Sequence, residues 1–193
     1  MFRSQITVVC TANLCRSPYM EARLREQLRS VTSAPLAVGS AGTRARAGEG
    51  MASETLGLLT ERGVPVAGEF QARQLTTAIV ADSDLLLTAS REQRAQVLEI
   101  SPLALRRAFT LREFAALLCG VRLAPESIAS GEWLALATAY ALSRRTANAQ
   151  LVNSPSADID DPYGRGEEAF ERMASEVDAS IALILENLVS AAK

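Results

Sequence analysis

Histidine is absent from this chain of 193 residues. That absence excludes a Ser-His-Asp or Cys-His nucleophilic site and any histidine metal site. Acid–base work must therefore fall to carboxylates. Cysteine is scarce as well. Three cysteines, an odd number at irregular spacing, do not suit a secreted disulfide framework and point to a reducing, cytoplasmic setting. No apolar run is long enough to span a bilayer. No leader with a basic and then an apolar region is expected, because Met1-Phe2-Arg3-Ser4-Gln5 runs directly into a strand. Neither charge sign dominates: 20 Lys and Arg against 22 Asp and Glu leave a net charge of −2. Neither nucleic acid nor a membrane is expected as a partner on that balance. Internal repeats and low-complexity tracts are missing too.

What remains is an ordinary globular composition, 48% hydrophobic and 22% charged, in a chain long enough for one domain with a proper core. Its most informative stretch is Val8-Val9-Cys10-Thr11-Ala12-Asn13-Leu14-Cys15-Arg16-Ser17-Pro18. Ile6 to Val9 is a β-branched run that reads as a buried strand. Pro18 suits the first position of a helix, which the spacing of Met20, Leu24 and Leu28 carries to about Arg29. The residues between form a strand-to-helix turn, and such turns aim backbone N–H groups and a helix N-terminus at one point, which favours an anion. A thiol in that setting beside a guanidinium is favoured as a thiolate. The planar fork of Arg16 matches two oxygens of a tetrahedral oxyanion. The Ser17 hydroxyl can donate to the sulfur, and Asn13 is a residue type that tolerates a left-handed backbone.

Further strands are expected at Leu36–Gly39, Asp84–Thr88 and Arg107–Thr110, with Ser40-Ala41-Gly42-Thr43 as a loop. Helices are expected over Met51–Arg62, a short stretch through Ile79 and Val80, Arg91–Leu98, Leu111–Leu118 and Glu167–Ala192. Ala124–Gln150 reads as helical, making an extended helical section over about 119–150, and Cys119 reads as a core residue. Strands that alternate with helices predict an α/β fold, a single three-layer domain over 1–193 with a four-stranded parallel sheet flanked by helices. Ligands of such sheets sit beyond the carboxyl ends of the strands, where the Cys10 turn falls.

The stretch from Cys10 to Ser17 resembles the C-x5-R-[ST] phosphate loop of protein-tyrosine phosphatases. In its extended form, V-C-x-x-N-x-C-R-S-P near the start of the chain, it is similar to that of the low-molecular-weight class. The resemblance implies a phosphate cradle of Thr11, Ala12, Asn13, Leu14, Cys15, Arg16 and Ser17, with Cys10 as nucleophile. It also implies that Ser40 holds Asn13, and that Phe70–Thr76 is similar to the family's A-R-Q-[LV]-T segment. Before the last helix stands Asp158-Ile159-Asp160-Asp161-Pro162-Tyr163-Gly164. An acidic cluster before Pro and Gly is commonly a turn. The resemblance makes Asp161 the general acid, Pro162 its brace and Tyr163 a wall for the substrate ring. Asp160 is the rival acid.

The activity so implied is hydrolysis of phosphotyrosine in a protein substrate through a phosphocysteine intermediate, without metal or cofactor; the sequence does not fix the oligomeric state, and a monomer is the expectation favoured. In the family a cysteine at the position of Cys15 can also pair with the nucleophile on oxidation; the alternative is a buried structural thiol. The chain departs from the commonest pattern at Ala12, which must keep a negative φ, at Phe70, where many members have a histidine, and at Arg44 and Arg46, where several have an aromatic. The two arginines favour an acidic target. The rival functions are a thioredoxin-coupled arsenate reductase, which needs two relay cysteines, and a non-catalytic phosphotyrosine-binding module.

Overall fold

In the computed structural model, residues 4–66 and 68–188 are described. Four strands, β1 (Ser4–Cys10), β2 (Leu36–Gly42), β3 (Leu85–Thr88) and β4 (Ala108–Thr110), form one parallel sheet in the order β2-β1-β3-β4. Strands buried on both faces read as continuous apolar runs. Val8 and Val9 in β1 and Leu85–Leu87 in β3 are such runs, each residue at most 1% exposed.

Each parallel pair needs a helical crossover, and the helices take both faces. Ile6, Val8, Leu87 and Phe109 point to one side, where α1 (Arg16–Arg29), α5 (Leu111–Leu117) and α9 (Glu167–Leu188) pack. Val9, Leu86 and Ala108 point to the other, with α3 (Thr77–Asp82) and α4 (Arg91–Ile100). The short α2 (Ser53–Glu61) leans on α1 and α9. The result is the three-layer α/β domain that the alternation predicts.

Several boundaries differ from expectation, for local reasons. α1 starts at Arg16 rather than Pro18. Pro18 therefore stands third in the helix, where an N–H would still lack a partner inside the helix and its loss costs nothing; Tyr19 makes the first bond, to the Cys15 carbonyl. Ser40-Ala41-Gly42 is not a loop but the end of β2, paired with Val8, Val9 and Cys10. Small residues are needed there because a Cβ on Gly42 would run into the Thr11 carbonyl oxygen. The expected helical section over 119–150 is three helices, α6 (Pro125–Ser130), α7 (Trp133–Arg144) and α8 (Ala149–Asn153). Gly131 separates the first two, with φ +87 and no room for a Cβ beside Ala34. Trp133, Leu134, Ala137 and Ala141 of α7 join the core on the α5 side. Cys119, expected in the core, is exposed, because α5 ends at Leu117 and the chain turns out before Gly120. The expected end of α9 at Ala192 lies outside the described residues.

Candidate active site

β1 delivers Cys10 to the carboxyl edge of the sheet, and the turn 11–15 wraps over the start of α1. The turn is pinned from outside. The carbonyls of Cys10, Thr11, Ala12 and Leu14 accept from the amides of Thr43, Arg44, Arg46 and Ala52, at 2.9 to 3.1 Å. With its carbonyls turned outward, the turn has amides left over. Among the described residues none accepts from the N–H groups of Thr11 to Cys15. Unpaired amides around one point at a helix N-terminus form an anion cradle.

Asn13 sets the curvature. Among the described non-glycine residues it alone has positive φ, 59°, so Ala12 meets its condition of a negative one. Fully buried, Asn13 uses every polar group of its side chain: Nδ2 donates to Ser17 Oγ (2.8 Å) and Ser40 Oγ (2.9 Å), and Oδ1 accepts from the Arg73 amide (2.9 Å). The backbone of Arg73, rather than a polar side chain at position 70, thus satisfies the Asn13 side-chain oxygen.

Ser17 Oγ lies 2.9 Å from Cys10 Sγ. Because Ser17 already accepts from Asn13, its own proton is left available to the sulfur, and an ionised Cys10 can only be the acceptor of this bond. Arg16 is 6% exposed. Its guanidinium donates to the Ile159 carbonyl (3.2 Å) and to Asp161 Oδ2 (2.6 Å), while its buried Nε meets no acceptor among the described residues. The buried Nε–H of this guanidinium is therefore left for a ligand.

Asp161 reaches Arg16 across a sequence distance of 145 residues because its segment is anchored twice. The Ile159 amide donates to the Ala89 carbonyl at the end of β3 (2.8 Å), and Asp158 accepts from the Arg91 backbone (2.7 Å) and side chain. Of the three aspartates, Asp158 is thus a structural anchor, Asp160 is exposed with no hydrogen bond among the described residues, and Asp161 faces the guanidinium. Pro162 behind it is buried.

Cys10, Thr11, Ala12, Leu14, Cys15, Arg16, Arg46, Asp161 and Tyr163 line one cavity of about 150 Å³. Sites that enclose a whole small ligand run from ~300 Å³ upward, so this one suits the end of a side chain. Leu14 and Ala12 make its walls apolar, and Tyr163, 57% exposed, stands at the rim. Arg46 lies over the Tyr163 ring (5.8 Å to the centroid) and donates to its hydroxyl (3.3 Å). Arg44 points away, toward Glu92 at 3.9 Å. Burial first, then the nearby Asp161 and Cys10, push the Cys15 thiol up to about 12. Cys15 stays protonated at neutral pH.

Residues invisible to sequence reasoning complete the site: Arg73 through its amide, Ile159 through its carbonyl, the anchor Arg91–Asp158, and Gln93, whose side chain donates to Thr11 (3.1 Å). Each acts across 60 or more positions, and Arg73 and Ile159 act through backbone atoms that carry no residue signature.

A sequence model described as "Low molecular weight phosphotyrosine protein phosphatase" matches residues 5–119. The chain is 34% identical over 99 residues to the low molecular weight protein-tyrosine-phosphatase Etp of Escherichia coli, spanning 51% of this chain and 63% of Etp. It is 25% identical over 185 residues to a putative low molecular weight protein-tyrosine-phosphatase of Klebsiella pneumoniae, spanning 96% and 97%. Among solved structures, the low molecular weight protein tyrosine phosphatase from T. tengcongensis superposes with a TM-score of 0.68 at 22% identity, covering 95% of this chain and 98% of its own. The YwlE arginine phosphatase from Geobacillus stearothermophilus superposes with 0.65 at 21%, covering 95% and 91%. Both superpositions concern the fold.

Proposed function

Because the chain belongs to the low molecular weight phosphotyrosine protein phosphatase family, a family of hydrolases, we propose that it removes phosphate from phosphotyrosine in proteins through a phosphocysteine intermediate. One observation carries this reading. A sulfur within hydrogen-bond distance of the Ser17 hydroxyl, a buried guanidinium and a carboxylate share one small cavity, beside a turn whose amides have no acceptor among the described residues.

The chemistry is two in-line displacements. Cys10 Sγ attacks phosphorus, the S–P bond forms and the bond to the phenolic oxygen breaks. Arg16 and the amides of residues 11–17 hold the non-bridging oxygens and their growing charge. Asp161 gives its proton to the leaving oxygen. Water then attacks phosphorus, Asp161 takes a proton from it, and the S–P bond breaks to free Cys10 and inorganic phosphate. An incoming phosphoryl oxygen competes for the Arg16 nitrogen that now contacts Asp161. The 45% exposed Asp161 side chain is then released toward the leaving group.

The apolar walls from Ala12 and Leu14 and the ring of Tyr163 suit an aryl ester. Arg46 at the rim suits an acidic residue beside the phosphotyrosine. The free thiols Cys10 and Cys15 suit a reducing compartment, and among the described residues no helix is long and apolar enough to cross a membrane. The whole span from β1 to α9 works as one phosphatase unit, since Asp161 lies beyond α6, α7 and α8, and α9 packs on α1. The arsenate-reductase alternative lacks support: a relay would need Cys119, which is exposed and outside the cavity lining.

The test is a substrate panel of p-nitrophenyl phosphate, phosphotyrosine, phosphoserine and phosphoarginine peptides, and arsenate with thioredoxin. Turnover of the aryl esters above all others is expected. Preference for phosphoarginine, or thioredoxin-dependent arsenate turnover, would replace this reading; binding of phosphotyrosine without turnover would make the protein a binding module.

A further inference from the structure

Gln93 lies in the first turn of α4, with its backbone N–H on the Ser90 hydroxyl that caps the helix. It is 2% exposed. Its Nε2 donates to Thr11 Oγ1 at 3.1 Å, and its Oε1 is buried with no donor among the described residues. An unpaired buried amide oxygen costs stability, and an apolar side chain of similar length would avoid that cost. Val97, one turn further along the same buried face, shows what this layer accepts. The amide is therefore carried against folding stability, and among the described residues its side chain hydrogen-bonds Thr11 alone.

Thr11 follows the nucleophile and lines the cavity beside Cys10, Arg16 and Asp161. Its hydroxyl has one proton and two lone pairs. With Gln93 donating into one lone pair, the proton and the other lone pair are left for the cavity. If the amide were turned over, the single proton would be spent on Gln93 instead.

We propose that Gln93 is a positioning residue that holds the Thr11 hydroxyl toward the oxygen in line with the Cys10 sulfur. In the first displacement that oxygen belongs to the leaving group, and in the second to the attacking water. No atom passes to Thr11 or Gln93; the proton moves only between Asp161 and that oxygen. The proposal rests on the phosphatase reading and adds a determinant to it.

The experiment is steady-state kinetics with p-nitrophenyl phosphate on the full chain and on Gln93→Met, Thr11→Val and the double variant, with thermal midpoints measured in parallel. Gln93→Met keeps the length of the side chain and removes both the donor and the orphan oxygen. Its expected signature is a thermal midpoint equal to or above wild type, a kcat lowered roughly tenfold and a KM changed less than about twofold. Thr11→Val is expected to lower kcat alike, and the double variant to fall no further than either single. Full kcat in Gln93→Met, or a double variant equal to the product of the singles, would overturn the proposal. A purely structural Gln93 would lower the thermal midpoint when removed, which would also overturn it. If Gln93→Met does not fold, the amide is structural and the proposal fails; full kcat in Thr11→Val sinks it independently. Wild-type protein that turns over no aryl phosphate would remove the phosphatase reading, and this inference with it.

Discussion

At the scale of single residues, the two aspartates that adjoin in sequence part company in space. Asp161 pairs with Arg16, and Asp160 makes no hydrogen bond or ion pair among the described residues. Asp161→Asn is expected to lower kcat by about 10² to 10⁴, and Asp160→Asn to leave it near wild type, as p-nitrophenyl phosphate assays at a single pH will show. Removing the carboxylate also removes a competitor for Arg16, so Asp161→Asn should bind inorganic phosphate more tightly than wild type by calorimetry; weaker binding would mean that the ion pair helps to build the anion site. Cys15 yields a pH prediction. Its folded-state value, about 12, lies above its ordinary 9.0. Between those values the unfolded chain loses a proton that the folded chain keeps. The contribution is thus fully present below pH ~9 and is lost as pH rises toward 12. Urea unfolding between pH 9 and 11 should show falling stability, with a shallower fall in Cys15→Ala. At neutral pH iodoacetamide should modify the exposed Cys119 and, unless phosphate protects it, Cys10, while Cys15 stays unmodified. That Cys10, Arg16 and Ser17 meet at one turn was legible in the sequence because they lie within seven positions of one another. Gln93 and Arg73 were not, because their partners stand 82 and 60 positions away.

At the scale of elements, the sheet was legible because buried parallel strands are short β-branched and leucine runs with little else to be. The ends of elements were not, since they depend on contacts with distant chain. Gly42 shows this. Read alone, Ser40-Ala41-Gly42 has the composition of a loop, yet pairing with β1 keeps it extended, and the Thr11 carbonyl forbids a larger residue. Gly42→Ala should push the phosphate turn aside, raising KM for aryl phosphate with little loss of fold by circular dichroism. Gly131 divides α6 from α7 with a left-handed backbone and a neighbour at Ala34. Gly131→Ala should lower Tm at ~2–4 °C per kcal/mol, for a cost of about 1–3 kcal/mol, while kcat of the folded fraction is unchanged. The end of α7 is tied down by more than apolar contact. Arg145, just after α7, donates to Glu113 (2.8 Å), a fully buried carboxylate that caps α5 and also pairs with Arg94, and its guanidinium lies 4.1 Å from the Phe109 ring centroid. Removing one member of a buried ionic group strands the others, so Arg145→Met should be strongly destabilising. No periodicity could announce that link, because its three members sit on separate elements.

At the scale of the molecule, the site exists only when both halves of the chain are in place. The turn on β1 supplies the sulfur and the amides; the segment before α9 supplies the carboxylate, carried there by the Ala89–Ile159 and Arg91–Asp158 bonds. A ligand of the folded site must therefore stabilise the whole domain. Inorganic phosphate at 100 times its Kd should add about 2.7 kcal/mol to wild type and little to Arg16→Ala. The fold class was readable from the alternation of strands and helices, and the first half of the site from one motif. The second half needed the resemblance, because an Asp-Pro turn says nothing of which distant residue it faces. The central claim, that the sulfur of Cys10 takes the phosphoryl group, is tested most directly by quenching the protein in acid during turnover of p-nitrophenyl phosphate and mapping the phosphoryl group by mass spectrometry. The account predicts a single thiophosphate ester on Cys10 in wild type and none in Cys10→Ser, which should also be inactive; nitrophenol release with Cys10 never phosphorylated would contradict it.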